Sequence, residues 1–456
     1  MTKAIKPRLA RGTRDFLPSD MVLRNHILNT VRKQFELFRF EQIETPAVEN
    51  LETLTGKYGE EGDKLIFKIL NSGDYLKKIG DKELSNYDAK SLLPEISDKA
   101  LRYDLTVPFA RFVVQHQNDI SFPFRRYQIQ PVWRADRPAK GRYREFYQCD
   151  ADIIGSDSLM LEAELIDLIK RIFSDLNISI TIKVNSRKLL YGFCEKQNIQ
   201  NQFTEFTTIL DKIDKKPWED LNQDFIQSGF SEELIHHTKD FIDHSGSVLS
   251  MESIDVIAKK VEGSQIGAEG VKEMQEIASL VDITGNDGVV LDLSLARGLN
   301  YYTGAIIEVI ANDFQIGSVC GGGRYDDLTS MFGLPDVSGI GISFGIDRIY
   351  DILKGESASS TMSSGIKVLF VNFGSDEIPY ALKAVSEIRD AGITIDLYPD
   401  AHKMKKQFRY ADQIGVSHVI IAGKEEMEKS IFKLKNLESG DQKDYKMDDL
   451  INHLRQ

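Results

Sequence analysis

The chain of 456 residues is expected to fold as a multidomain α/β protein. Three stretches lead to that class. Residues 124–155 read as strand, loop, strand. Tyr127, Ile129, Val132 and Trp133 give aromatic and β-branched character before a break. Ala135 to Gly141, with Pro138, forms the break, and Phe146, Tyr147, Cys149, Ile153 and Ile154 restore strand character. Residues 186–285 are helical in pattern and acidic. Beyond residue 366, strand and helix patterns alternate, as in a small α/β domain with a mostly parallel sheet.

The totals set limits. At this length two to four domains are expected, with ample chain for a large core. Apolar content of 41% and charged content of 28% are those of a globular protein. A net charge of −13 excludes a generally basic coat for nucleic acid, so RNA contact must come from local basic patches. Cys149, Cys194 and Cys320 are far apart, with no CxxC pair and no His at ligand spacing. Reduced thiols and no structural zinc follow. The N-terminus lacks the apolar segment of a secretory signal, and no apolar run approaches the roughly 18 residues of a membrane span. A cytoplasmic protein is expected.

Taken in order, RGTRDFLP (11–18) ends in an X-Pro break. From Met21 to Phe38 the apolar residues Val22, Leu23, Ile27, Leu28, Val31, Phe35 and Leu37 recur at helical spacing. FEQIETPAVEN (40–50) alternates and then meets Pro46, which predicts an edge strand. Residues 55–100 combine a short strand, Leu65–Leu70, with a lysine-rich surface loop. In RYDLTVPFARF (102–112), Asp104 and Thr106 share a face if the segment is extended, where a carboxylate and a hydroxyl could hold an ammonium group. A helix over Ser158–Leu176 and a strand over 178–185 follow. Residues 289–310 predict strand, turn, strand, with Arg297 and Gly298 at the turn, and Phe314–Val319 a further strand. GGGR (321–324) then permits close backbone approach, although a bulge or hairpin turn explains it equally. No GxGxxG follows a first strand, which disfavours a dinucleotide fold. Gly339, Gly341 and Gly345 precede a helix starting near Ile346. Arg348 falls in its first turn, against the helix dipole, a local cost that points to a functional demand for a cation. KGESASSTMSSG (354–365) has linker composition. After it come strand 366–373, helix 377–390, strand 393–398, helix 403–414 and strand 418–422.

The chemistry concentrates in the opening hairpin. Arg125, Arg126, Arg134, Arg137, Lys140, Arg142 and Arg144 fall within twenty residues, interleaved with aromatics, and suit a grip on phosphate oxygens. Asp150 and Asp152 follow. An acceptor such as Asp152 suits a small ligand that carries donors.

This stretch, with KGRYREFYQCDADIIG after Arg134 and Asp136, resembles motif 2 of the class II aminoacyl-tRNA synthetases in the form found in histidyl-tRNA synthetases. LARGLNYYTG (295–304) resembles the first histidine signature of that family. SVCGGGRYDDL (318–328) with GIGISFGIDRIYDIL (339–353) resembles the second signature and motif 3. RYDLTVPFARF resembles the segment that holds the amino acid's ammonium group. The four segments occur in the family's order and the resemblance covers most of the chain. It implies a class II antiparallel-sheet core flanked by helices, with a helical insertion and a C-terminal α/β anticodon-binding domain. The implied boundaries are 1–185 and 286–353 for the core, 186–285 for the insertion, 354–365 for the linker and 366–456 for the anticodon-binding domain.

The implied reaction is ATP-dependent ligation of histidine to tRNA(His) through histidyl-adenylate, with Mg2+ bridging the phosphates. Charge builds on phosphate oxygens, so fixed cations matter more than a general base. By resemblance Arg134, Arg297 and Arg348 are catalytic. Asp104, Thr106 and Gln148 hold the α-amino group, Asp152 and Tyr302 read the imidazole, and Tyr301 and Arg297 complete the histidine site. Arg134, Asp136, Arg142, Phe146 (stacked on adenine) and Arg348 bind ATP. Arg137, Lys140, Lys403, Lys405, Lys406 and Arg409 meet tRNA. A homodimer through motif 1, the helix and strand before Pro46, is also implied, and no metal ligands are assigned. One departure stands out: Asn300 replaces the aspartate usual in RGLDYY. A regulatory paralogue that partners ATP phosphoribosyltransferase is the alternative, but such chains tend to lose the C-terminal domain and catalytic arginines. A plain RNA-binding module leaves the acidic and tyrosine positions unexplained.

Overall fold

The computed structural model describes residues 6–56, 59–77, 79, 88–139, 141–213, 216–296, 301–356 and 368–455. The chain divides into two compact units, Met1–Glu356 and Ser357–Gln456.

The first unit is built on an eight-stranded sheet. Its strands are β1 (Glu41–Gln42), β2 (Phe124–Trp133), β3 (Glu145–Ile154), β4 (Ile180–Ser186), β5 (Val289–Leu291), β6 (Ala305–Ala311), β7 (Ser318–Tyr325) and β8 (Gly339–Gly345). Their spatial order is β1-β2-β3-β8-β7-β6-β4-β5. The six inner strands pair antiparallel, and β1 and β5 run parallel to their neighbours at the two edges. The expected edge strand is therefore present, cut short at Gln42 before Pro46.

Alternation decides what each face does. On β3, Cys149, Ala151 and Ile153 point to an apolar core, as do Ile340, Ile342 and Phe344 on β8. Helix Pro18–Leu37 covers that face with Ile27, Val31 and Phe35, and helix Met160–Asp175 with Leu165, Ile169 and Phe173. Phe344 lies 5.9 Å, centroid to centroid, from both Phe35 and Phe173. The opposite face presents Gln148, Asp150 and Asp152 from β3 and Gly341 and Ser343 from β8. The helices from Arg187–Lys196 to Gln265–Thr284 add Phe206, Phe225 and Phe241 to the same apolar core.

Several expectations need correction. The three glycines lie inside β7, not at a turn after a strand ending at Val319. The reason is space: a Cβ at Gly322 would stand 1.9 Å from the Gly341 carbonyl oxygen, and one at Gly341 would stand 1.9 Å from Asp152 Oδ1. Only bare backbone fits between β7, β8 and the Asp152 side chain. Asp104 and Thr106 are not in extended chain. A helix runs over Thr106–Gln115, and Asp104 Oδ1 accepts from Val107 N at 3.2 Å, satisfying one of its free first-turn donors. In the stretch read as strand and loop, the strand shrinks to Lys68–Ile69. Helix Ala89–Ile96, capped by Asp88, and strand Lys99–Leu101 follow, and residues 80–87 lie outside the described residues. Helix Ile346–Glu356 extends three residues into the expected linker.

The second unit has strands β9 (Val368–Phe370), β10 (Ile395–Leu397), β11 (His418–Ile421), β12 (Phe432–Asn436) and β13 (Gln442–Tyr445), in the order β10-β9-β11-β12-β13. The first three are parallel, joined through helices Ile378–Asp390 and Met404–Ile414. The last two pair antiparallel, so the sheet is mixed rather than mostly parallel. The five residues between β12 and β13 suffice for a hairpin but not for the crossover a parallel pair needs. Helices Ile378–Asp390 and Met447–Leu454 cover one face through Val385, Ile388 and Leu450, and helix Met404–Ile414 covers the other through Ala411.

Candidate active site

The polar face of the large sheet opens into a cleft of about 730 Å³. Its axis follows β3. Phe146, Gln148, Asp150 and Asp152 alternate onto one face, so the two ends of that row stand about 20 Å apart. The register with β8 sets Ser343 opposite Asp150 and Gly341 opposite Asp152.

At the Phe146 end the charges are positive. Arg134 lies with its guanidinium carbon 4.4 Å from the Tyr103 ring centroid and 5.2 Å from that of Phe146, and its Nε donates to Tyr103 O at 3.1 Å. Arg348 donates from Nε to Gly141 O at 3.2 Å and from Nη1 to Ser318 O. Those two carbonyls, with Asp347 beside it, answer the unfavourable placement of a cation in a first helical turn. Asp347 in turn takes Arg14 and Arg24 on Oδ1 and the Tyr147 N–H on Oδ2, tying helix Ile346–Glu356 to β3. Arg142 is 55% exposed on its side chain and stands 3.9 Å from Asp136.

At the other end the cleft is acidic. Asp104, Asp150 and Asp152 are all buried. Arg126, wholly buried, meets Asp152 Oδ2 at 2.7 Å, and the Tyr325 hydroxyl donates to Asp152 Oδ1 at 2.7 Å. Burial pushes the Asp152 carboxyl up, against the pull of Arg126 and Tyr325. Burial lifts Asp150 further, to about 7; Arg126 opposes the shift and Asp152 adds to it. The Tyr301 phenol is driven well above its usual range by burial, then by Tyr302 and Asp104, and Thr106 is within its hydrogen-bonding reach. It enters the site as a neutral hydroxyl.

Of the residues expected at the site, Asp104, Thr106, Arg134, Asp136, Arg142, Phe146, Gln148, Asp152, Tyr301, Tyr302 and Arg348 all line this one cleft. Arg297 and Lys140 lie outside the described residues. Arg137 is exposed and is not among the lining residues. Lys405, Lys406 and Arg409 are exposed on helix Met404–Ile414 of the second unit; Lys403 caps that helix rather than lying on it. Two of the seven clustered cations serve the fold. Arg125 makes a two-pronged pair with Glu164, and Arg126 is taken by Asp152.

Sequence reasoning left Asp150 and Ser343 without a role, although both line the cleft. Strand alternation was the available signal for Asp150: a residue between Gln148 and Asp152 on the same face must share their surroundings. Ser343, Lys183 and Glu308 needed strand pairing across the sheet, which no local pattern carries.

A family model described as histidyl-tRNA synthetase matches residues 96–349, and one described as anticodon binding domain matches residues 367–456. The histidine–tRNA ligase of Christiangramia forsetii is 51% identical over 444 residues, covering 96% of this chain and 97% of that protein. The crystal structure of histidyl-tRNA synthetase from Nostoc sp. PCC 7120 superposes with a TM-score of 0.82 at 30% identity, covering 99% of each chain. A Bacillus halodurans structure, described as an ATP phosphoribosyltransferase regulatory subunit/histidyl-tRNA synthetase, has a TM-score of 0.74 over 92% of this chain and 99% of its own. At 20% identity that likeness shows the fold alone. With more than half of the chain matched by the family model and a relative near half identity over almost its whole length, the chain belongs to the histidyl-tRNA synthetase family.

Proposed function

We propose that this cleft carries out the reaction that family membership assigns to the chain: ATP-dependent ligation of histidine to tRNA(His) through histidyl-adenylate, releasing AMP and pyrophosphate. The observation that supports the residue roles is the polarity of the cleft, cationic and aromatic at Phe146 and acidic at Asp152. A zwitterionic amino acid with a donor-rich side chain suits the acidic end, and a nucleoside triphosphate suits the other.

In the first step a histidine carboxylate oxygen bonds to the α-phosphorus and the bond to pyrophosphate breaks. Two anions must meet, so the site must neutralise charge. Arg134 and Arg297 act on the α-phosphate and the carboxylate, and Arg348 holds the γ-phosphate. Phe146 stacks on adenine, and Asp136 and Arg142 complete the ATP site. Asp104, Thr106 and Gln148 take the ammonium group. Asp152 and Tyr302 read the imidazole, and Tyr301 completes the histidine site. A buried polar pocket of this kind rejects isosteres, because a mismatched ligand leaves its groups unpaired.

When bound, Mg2+ would supply positive charge against the phosphates. Among the described residues no cluster of three or more His, Cys, Asp or Glu is arranged to hold an ion.

The core (1–185 and 286–353) acts with the insertion (186–285) near the acceptor stem. The 366–456 domain reads the anticodon, with Lys403, Lys405, Lys406 and Arg409 supplying charge; Arg137 and Lys140 meet tRNA. The working form is a homodimer through motif 1, supported by Leu17 (65% exposed) and Leu37 (68% exposed) at the ends of the first helix, which a partner would cover. The working compartment is the cytoplasm, and among the described residues no helix is long and apolar enough to cross a membrane. Charging of a tRNA(His) transcript with labelled histidine tests the reading. Esterified histidine should form only with ATP and Mg2+ present, and a folded protein that leaves the transcript uncharged would refute it.

A further inference from the structure

We propose that Asp150 and Ser343 are positioning residues that hold the Gln148 side-chain amide with its carbonyl oxygen, not its NH2, presented to the α-ammonium group of the amino acid. The proposal rests on the reading of Gln148 as an ammonium ligand and extends it to two residues that had no role.

The geometry is a short relay between β3 and β8. Gln148 Nε2 donates to Ser343 Oγ at 2.9 Å, and lies 3.5 Å from Asp150 Oδ1. Ser343 stands opposite Asp150 in the strand pair, with its hydroxyl within hydrogen-bonding reach of the carboxylate. A hydroxyl has one proton to give. Given to Asp150, it leaves Ser343 with lone pairs only, and these accept from the Gln148 NH2. The other end of the amide is then fixed by elimination. Gln148 Oε1 is buried, lines the cleft through its residue, and has no hydrogen-bond partner among the described residues. An unmade bond at a buried acceptor is costly, and an incoming –NH3+ relieves it. Without the Asp150 charge the relay can reverse. Ser343 would then donate to the amide oxygen, and Gln148 would present its NH2 to a cation.

The charges around Asp150 favour the same direction. It is faced by Arg126 from β2, by Asp152 on its own strand, by Asp104 from the segment before helix Thr106–Gln115, and by Ser343 from β8. Three carboxylates share one guanidinium, so the site is short of a cation until the ammonium arrives. Burial leaves the Asp150 carboxyl near 7, whereas a bound cation favours the ionised form. Histidine should therefore expel a proton from Asp150 and bind more tightly as pH rises through neutrality.

The test compares histidine with 3-(imidazol-4-yl)propionate, which has the same ring and carboxylate but no amino group. Pyrophosphate exchange gives KM for histidine and ATP, and inhibition gives Ki for the analogue. Ser343→Ala and Asp150→Asn should each raise the histidine KM about tenfold, the worth of one directed hydrogen bond. They should leave the analogue Ki, the ATP KM and kcat near wild type. Ser343→Thr, which keeps the hydroxyl, should restore the histidine KM. Between pH 6 and 8 the histidine affinity of wild type should gain on that of Asp150→Asn; titration of the free ligand is common to both and cancels. Gln148→Ala serves as the reference. If it removes the preference for histidine over the analogue while Ser343→Ala and Asp150→Asn keep it, the relay is wrong. If Gln148→Ala itself keeps that preference, the ammonium reading fails and the proposal falls with it.

Discussion

Asp152 shows how one side chain is committed twice. Arg126 and Tyr325 each occupy one of its oxygens at 2.7 Å, which fixes the carboxylate and still leaves it lone pairs for a ligand. Asp152→Ala should cost on the order of 2–5 kcal/mol in histidine use, since it also strands the buried Arg126, while ATP binding stays largely intact. An unchanged KM and kcat for histidine would remove Asp152 from the pocket. Asp150 gives a prediction about stability. Its native carboxyl titrates near 7 and an unfolded one near 4, so between those values the native state holds a proton that the unfolded state has lost. Stability of the ligand-free protein therefore falls as pH rises through that window and stays lower above it. Asp150→Asn should abolish this component and be the more stable protein at pH 8, by up to about 4 kcal/mol. Denaturant melts at pH 5 and pH 8 check it; a wild-type advantage at pH 8 would contradict it. Sequence made Asp104, Gln148 and Asp152 legible through a family resemblance. It left Asp150 unread because a carboxyl pushed toward neutrality has no local signature. It also left Arg125 and Arg126 undistinguished within the basic cluster, because their partners Glu164 and Asp152 lie far along the chain or across a strand pair.

At the scale of elements, the first helix and the β2–β3 hairpin were legible because their apolar periods, 3.6 and 2, are strong and local. The start of helix Thr106–Gln115 was not, since an aspartate two residues before it reads equally as extended chain or as a cap. The position of the glycine run was missed for a related reason. It is set by contact with β8 and Asp152, and local sequence offers only a turn. Where two layers meet, Phe344 is pinned between Phe35 and Phe173. Phe344→Ala should destabilise the first unit by about 3–5 kcal/mol, read as a lower denaturant midpoint at unchanged slope. A loss under 1 kcal/mol would mean that the helices do not pack on the sheet as described.

At the scale of the molecule, two compact units match two family models, and the residues proposed for adenylate formation lie in the first unit alone. Alternating strands and helices made the second unit legible as α/β. Its antiparallel hairpin was missed because β13, GlnLysAspTyr in sequence, is polar and exposed and carries no strand signal. Deleting residues 366–456 should spare amino-acid activation, apart from any loss of stability, and sharply reduce charging of tRNA. Full charging by the truncated, folded protein would refute anticodon reading by this domain. The central claim is that the cleft along β3 activates histidine. Histidine-dependent exchange of labelled pyrophosphate into ATP tests it most directly, because it needs no tRNA. The expected result is exchange that requires histidine and Mg2+ and is not supported by the other standard amino acids. A folded protein that shows no exchange with histidine, or equal exchange with an unrelated amino acid, would contradict the account.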